Sequence, residues 1–214
     1  MSELPYAVEK AGILPYLLAV PHGGNALRPV LCFLHGYDEG APAQIEEALT
    51  RHGPLKPGNP SILLESFIVV APQMPVRGDL WQLHADQVLE IVAQVRRRCG
   101  GDPCRTYLTG FSFGANGVFD LVLHQPEEWA ALWAVDPTRV PVCDSGHPIW
   151  LSIGILARSR TNDFRTTLKL NAFQKNSEQD RILMDEGADH VGSATLAYRD
   201  ERIYSWLLSK RSNR

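Results

Sequence analysis

The sequence predicts an α/β fold: a mostly parallel central sheet flanked by helices on both faces. Two observations predict it. Several short runs are apolar at every position and closed by turn residues, which is how a strand reads when helices cover both of its faces. Between these runs lie longer segments with apolar residues at helical spacing, and strand alternating with helix gives a parallel sheet with crossover helices. No internal repeat or low-complexity linker interrupts the 214 residues, so the expectation is one domain, 1–214.

In chain order, Ile13 to Val20 reads as a strand, half of an N-terminal hairpin. Pro29 introduces the run Val30-Leu31-Cys32-Phe33-Leu34, which ends in His35-Gly36. The Pro/Gly-rich stretch from Gly53 to Ser61 is a loop within the domain, and Phe67-Ile68-Val69-Val70-Ala71 is the next strand, ending at Pro72. From Leu83 to Val95, Val88, Leu89, Val92 and Val95 form one apolar helical stripe. Thr106 to Thr109 reads as a strand ending at Gly110, and Gly114 to His124 as a helix presenting Val118, Leu121 and Val122. Ala131 to Val135, Ile149 to Ile153 and, more weakly, Arg181 to Met184 are further strands. Asp200 is a good N-cap for a closing helix, Glu201 to Leu208, with Ile203, Trp206 and Leu207 facing the core.

Composition narrows the function classes. Hydrophobic residues at 44% and charged residues at 21% are globular values. With 21 Lys and Arg against 24 Asp and Glu, the net charge is −3, so there is no electrostatic case for nucleic acid or an anionic membrane as a partner. The one dense basic run, Arg96-Arg97-Arg98, reads as the solvated end of a helix. No apolar stretch reaches the ~20 residues that span a bilayer. Ile13 to Val20 is broken by Pro15 and follows Glu3 and Glu9 rather than a basic segment, so a cytoplasmic location is expected. Cys32, Cys99, Cys104 and Cys143 are too few for a disulfide scaffold and too widely spaced for a zinc pattern; Cys99 and Cys104 could pair only in an exported protein.

The sharpest motif is Gly110-Phe111-Ser112-Phe113-Gly114, between a strand and a helix. That is the context of a nucleophile elbow, in which a serine is lifted above the strand ends on a tight, strained turn. Glycines at the two flanking positions remove collisions that side chains would create. The helix that follows aims its free N–H groups at the same point. A serine hydroxyl is a weak nucleophile and needs a general base. Of the seven histidines, His190 is the candidate, because it lies in a loop after the last strand and suits a Ser…Asp…His chain order.

These residues resemble the α/β-hydrolase fold. Within it they are similar to the small carboxylesterase-like enzymes often labelled predicted peptidases or phospholipase/carboxylesterase relatives. The likeness is carried by Phe33-Leu34-His35-Gly36, by Arg51-His52-Gly53-Pro54 with Phe67 to Gln73, by the elbow through Gly117, and by Asp189-His190 with Ala197-Tyr198 and Ile203 to Leu208. The resemblance implies an oxyanion hole from the backbone N–H groups of Tyr37 and Phe113, and an aromatic residue near the substrate, Trp81. It implies no metal and no organic cofactor.

The resemblance departs from the family at the acid. Where the family pattern places a carboxylate, after the strand Ile149 to Ile153, this chain has Ala157. The first choice is Asp163, because Asn162-Asp163 could close a lengthened loop back onto His190. The alternative is Asp136, at the end of the preceding strand, where some hydrolases of this fold carry their acid. The expected activity is therefore hydrolysis of a small-molecule ester by a serine enzyme. The missing acid keeps a catalytically impaired binding protein open, and the family label keeps a peptidase open. Oligomeric state is not readable.

Overall fold

The buried runs assemble into one nine-stranded sheet. A computed structural model describes residues 6–9, 14–23, 26–174 and 179–212. The strands are β1 (Ala7–Glu9), β2 (Tyr16–Ala19), β3 (Arg28–Leu34), β4 (Ile68–Pro72), β5 (Gly101–Phe111), β6 (Ala131–Val135), β7 (Ile149–Ile153), β8 (Asn171–Ala172) and β9 (Arg181–Asp185). Of the N-terminal strand expected from Ile13, residue Ile13 itself lies outside the described residues, and Tyr16–Ala19 forms the strand that pairs with β1 as a hairpin. The helices are α1 (Ile45–Leu49), α2 (Ser61–Ser66), α3 (Ala85–Cys99), α4 (Phe113–His124), α5 (Ile155–Arg158), α6 (Thr161–Leu168), α7 (His190–Arg199) and α8 (Glu201–Leu208).

The strand order is β1-β2-β4-β3-β5-β6-β7-β9-β8. The β1–β2 and β2–β4 pairs are antiparallel and the remaining pairs are parallel. Alternating side chains feed two cores on opposite faces. On β3, Val30, Cys32 and Leu34 join α3, α4 and Phe164 of α6. Leu31 and Phe33 of the same strand face the other core, with Leu49 of α1, Leu63 of α2 and the α7–α8 side chains Tyr198, Ile203, Tyr204 and Leu207. The chain thus has the α/β-hydrolase fold, with helices on both faces of a mostly parallel sheet.

This order positions a site. From β3 the chain crosses to β4 on one side, and β5 pairs with β3 on the other, so β3 and β5 flank the point where the winding reverses. Ligands of open α/β sheets bind at the carboxyl ends of strands at such a point. Leu34 pairs with Gly110, which puts the His35-Gly36-Tyr37 turn beside the turn that carries Ser112.

The basic run ends α3, whose cap Gly100 adopts a left-handed φ of 71°. Arg97 and Arg98 are exposed, as a solvated helix end requires, while Arg96 is half-buried; Arg96 pairs with Glu128 at 2.6 Å and Arg98 with Glu9 at 2.8 Å. No helix among the described residues is long and apolar enough to cross a membrane.

Candidate active site

Ser112 stands where β5 ends and α4 begins, with φ 57° and ψ −116°. A non-glycine residue held there is strained, and such strain concentrates at functional sites. The turn is tight enough to demand its glycines. A Cβ on Gly114 would lie 1.8 Å from the Leu34 carbonyl oxygen, and one on Gly110 would lie 2.3 Å from the Gly114 oxygen. The Ser112 N–H donates to the Val135 carbonyl at 3.0 Å, tying the elbow to β6.

His190 is the first residue of α7 rather than a loop residue, and Asp189 is the helix N-cap, accepting from the Gly192 N–H at 2.6 Å. Its Nε2 lies 2.9 Å from Ser112 Oγ, and its Nδ1 lies 2.5 Å from Asp136 Oδ2. A carboxylate oxygen can only accept, so Nδ1 carries the proton and Nε2 presents its lone pair to the Ser112 hydroxyl. The Phe111 ring packs 4.6 Å from the imidazole, centroid to centroid.

Asp136 follows β6 directly and is fully buried, with φ 43°. An aspartate tolerates this left-handed backbone better than most residues. Its second oxygen, Oδ1, accepts from the Gly154 N–H at 2.6 Å, so the end of β7 orients the carboxylate that meets His190.

Two sequence expectations are corrected here. Asp163 is not brought to His190. The segment after β7 folds into α5 and α6 instead of an open loop; Phe164 and Leu168 are the buried residues of α6, leaving the Asp163 side chain 64% exposed, 3.8 Å from Arg160. Ala157, at the position where the family resemblance implied an acid, is buried in the core. Trp81, expected near the substrate pocket, is likewise buried beneath the His35 turn rather than exposed. It is 2% exposed, its Nε1 donates to the His35 carbonyl at 3.1 Å, and it packs where a Cβ on Gly117 would lie 2.7 Å away.

Tyr37 and Phe113 meet beside the serine. Tyr37 opens a short 3-10 turn and its half-exposed ring meets the Phe113 ring edge-on at 5.1 Å. Phe113 is the first residue of α4, so its N–H belongs to the unsatisfied helix start. A Cβ on the preceding Gly36 would sit 3.5 Å from Ser112 Cβ, which fixes how close the turn comes to the nucleophile position.

Sequence reasoning missed the side chains that hold this turn. His35 is fully buried; its Nε2 accepts from the Met74 N–H at 3.0 Å, so Nδ1 is protonated and donates to the Gly36 carbonyl at 2.7 Å. Burial pushes its pKa down to about 4. Glu39 is 3% exposed and its Oε2 accepts from the Gly36 N–H at 2.5 Å. Burial pushes its carboxyl up to about 7. The signal available was the spacing Gly36-x-x-Glu39, in which the glutamate reaches back to the cap N–H as in one half of a capping box, glycine having no side chain for the other half. Among the described residues no group of three or more His, Cys, Asp or Glu side chains could hold a metal ion.

No protein-family model matches the chain, and no curated protein sequence does. Solved structures do. A thermostable esterase superposes with a TM-score of 0.73 at 18% identity, over 97% of this chain and 63% of that one. The chain therefore spans less than two thirds of that esterase's length. A protein from Klebsiella pneumoniae subsp. pneumoniae MGH 78578, described as a dienelactone hydrolase, superposes with a TM-score of 0.60 at 18% identity, over 92% of this chain and 93% of that one.

Proposed function

We propose that this protein is a serine hydrolase that cleaves a small carboxylic ester through an acyl-enzyme. The observation that carries this reading is the continuous run Ser112 Oγ, His190 Nε2, His190 Nδ1, Asp136 Oδ2, with contacts of 2.9 and 2.5 Å. The names of the two similar structures, an esterase and a dienelactone hydrolase, point to the same chemistry.

In this mechanism Ser112 Oγ attacks the ester carbonyl as its proton passes to His190 Nε2. Asp136 keeps the ring in the required tautomer and stabilises the imidazolium. The Tyr37 and Phe113 amides donate to the developing oxyanion, each such donor contributing roughly 3 kcal/mol in enzymes where one has been removed. The tetrahedral intermediate collapses, the C–O bond breaks, and the alcohol leaves with the proton from His190. Water then attacks the acyl-enzyme, giving a proton to His190, and the acid is released as Ser112 recovers its proton. Each residue in the sequence is on the chain itself, so the reaction as written needs no added group.

The test is labelling and turnover. A fluorophosphonate probe is expected to form a covalent adduct at Ser112, and Ser112→Ala is expected to lower kcat on a small activated ester by roughly 10⁴-fold or more. Full esterase activity in Ser112→Ala, or no adduct in the wild type, would overturn the reading and leave a binding protein. Matched ester and amide substrates separate an esterase from a peptidase.

A further inference from the structure

We propose that Glu39 is a positioning residue of this site, its carboxylate holding the Gly36 amide so that the Tyr37 amide faces the oxyanion. The inference rests on the serine-hydrolase reading and adds a residue to it.

The geometry begins at Gly36. A Cβ there would come within 2.9 Å of Glu39 Oε2 and 3.5 Å of Ser112 Cβ, so the carboxylate and the nucleophile position both crowd the same α-carbon. The Gly36 N–H is spent on Glu39 at 2.5 Å, which orients the His35–Gly36 peptide. The Gly36 carbonyl accepts from His35 Nδ1 at 2.7 Å, which orients the next peptide, the one that carries the Tyr37 N–H. Glu39 thus fixes the Gly36 α-carbon from which that peptide leaves. The rest of the turn is pinned as well. Gln73 Nε2 donates to the Glu39 and Ala43 carbonyls, both at 2.9 Å, and Trp81 and Met74 hold His35. Burying a carboxylate is expensive unless it is well bonded, and a surface turn could be capped by an exposed side chain at no such cost.

The surroundings are consistent with this. His52 Nε2 lies 3.7 Å from Glu39 Oε1, too far for a hydrogen bond, and His52 Nδ1 is buried with no hydrogen-bond partner. The His52 ring lies 5.3 Å from the Phe111 ring, whose own neighbour is His190. The charged and titratable groups that face Glu39 are Asp38 beside it, Arg51 and His52 after α1, and His190 and Tyr198 on α7. Arg51 and His190 favour its ionised form, and Asp38 opposes it. During attack an imidazolium and an oxyanion appear together, so a charge on Glu39 attracts one and repels the other. The hydrogen bond to Gly36 is the contact through which Glu39 reaches the turn. An ionised acceptor makes that bond stronger than a neutral one does.

The experiment uses full-length variants with active sites counted by fluorophosphonate, so that unfolded protein does not enter kcat. Glu39→Leu is expected to lose about 10- to 100-fold in kcat with KM nearly unchanged, less than or equal to the loss of a whole oxyanion donor. Glu39→Gln keeps an acceptor and is expected to retain most of kcat. The wild-type to Gln ratio of kcat should rise as pH climbs through about 7, where Glu39 ionises. Arg51→Gln, at an exposed residue, should move the midpoint of that rise to higher pH. A Glu39→Leu enzyme with wild-type kcat per labelled site, a pH-independent ratio, or a midpoint unmoved by Arg51→Gln would overturn the inference. Indifferent variants in a wild type that labels normally would sink this inference alone, whereas a wild type that fails to label would sink the catalytic reading beneath it.

Discussion

Asp136 meets two donors at once, the Gly154 N–H on one oxygen and the His190 ring on the other, at 2.6 and 2.5 Å. In the proposed mechanism that double engagement favours Asp136 of the two carboxylates that the chain order alone leaves open. Asp163 has only Arg160, at 3.8 Å and in solvent. Asp136→Asn is therefore expected to lower kcat by roughly 10⁴-fold, because an amide can leave the imidazole in the wrong tautomer while keeping its shape. Asp163→Asn is expected to change kcat by less than about twofold, since exposed ion pairs contribute little. Steady-state turnover of one activated ester by the two variants checks both. The choice between Asp163 and Asp136 as the proposed acid was not legible in the sequence because strand-end position and loop length are both compatible with reaching His190. What excludes Asp163 is that residues 155–168 coil into helices, a consequence of Phe164 and Leu168 finding the core. The burial of Trp81 was not legible for a different reason: an aromatic side chain near the site reads alike whether it lines a pocket or supports a turn from beneath.

At the scale of elements, legibility followed burial. Strands β3, β4, β6 and β7 have nearly every residue buried, and their runs announce themselves. The edge strands β1 and β8, three and two residues long and partly or wholly exposed, carry no such pattern. The short helices α1, α2 and α5 are too brief for a period to show. The tight turn around Ser112 was legible because Gly110 and Gly114 are required by contacts within the motif and with the strand end beside it. Helix α7 offers a test of how an element delivers a side chain. Its N-cap Asp189 precedes His190, whereas Asp200 caps α8, with its side chain accepting from the Arg202 N–H at 3.0 Å. Either residue changed to Ala should cost about 1 kcal/mol of stability. Only Asp189→Ala loosens the turn on which His190 stands, so only it should lower kcat per folded molecule, by about several-fold. Denaturant melts paired with active-site-titrated turnover distinguish the two; equal kcat in both variants would mean that the cap does not position the imidazole.

At the scale of the whole molecule, building a site on a covered sheet leaves titratable groups where water is scarce, and folding then moves protons. Burial pushes Glu39 and Glu186 up to about 7, and pushes His35 and His52 down to about 4. Their ordinary values are 4.5 for the carboxyls and 6.5 for the imidazoles. Between roughly pH 4.5 and 6.5 the folded protein therefore holds protons on two carboxyls that the unfolded chain has released, and keeps neutral two imidazoles that the unfolded chain has protonated. The carboxyls make stability fall as pH rises through this window, because the folded state binds the extra protons. The imidazoles make it rise, because the unfolded state binds theirs; that contribution is present above about 6.5 and lost as pH falls through about 4. The two slopes largely offset in the wild type. Removing one member of either set should expose the other. Relative to wild type, Glu186→Gln should gain stability as pH is raised from about 5 to about 6, and His52→Gln should lose it. Urea unfolding free energies of the three proteins at the two pH values give the differences directly, and all other titrating groups cancel in the comparison. Parallel pH dependences in all three would mean that these side chains are hydrated in the folded state.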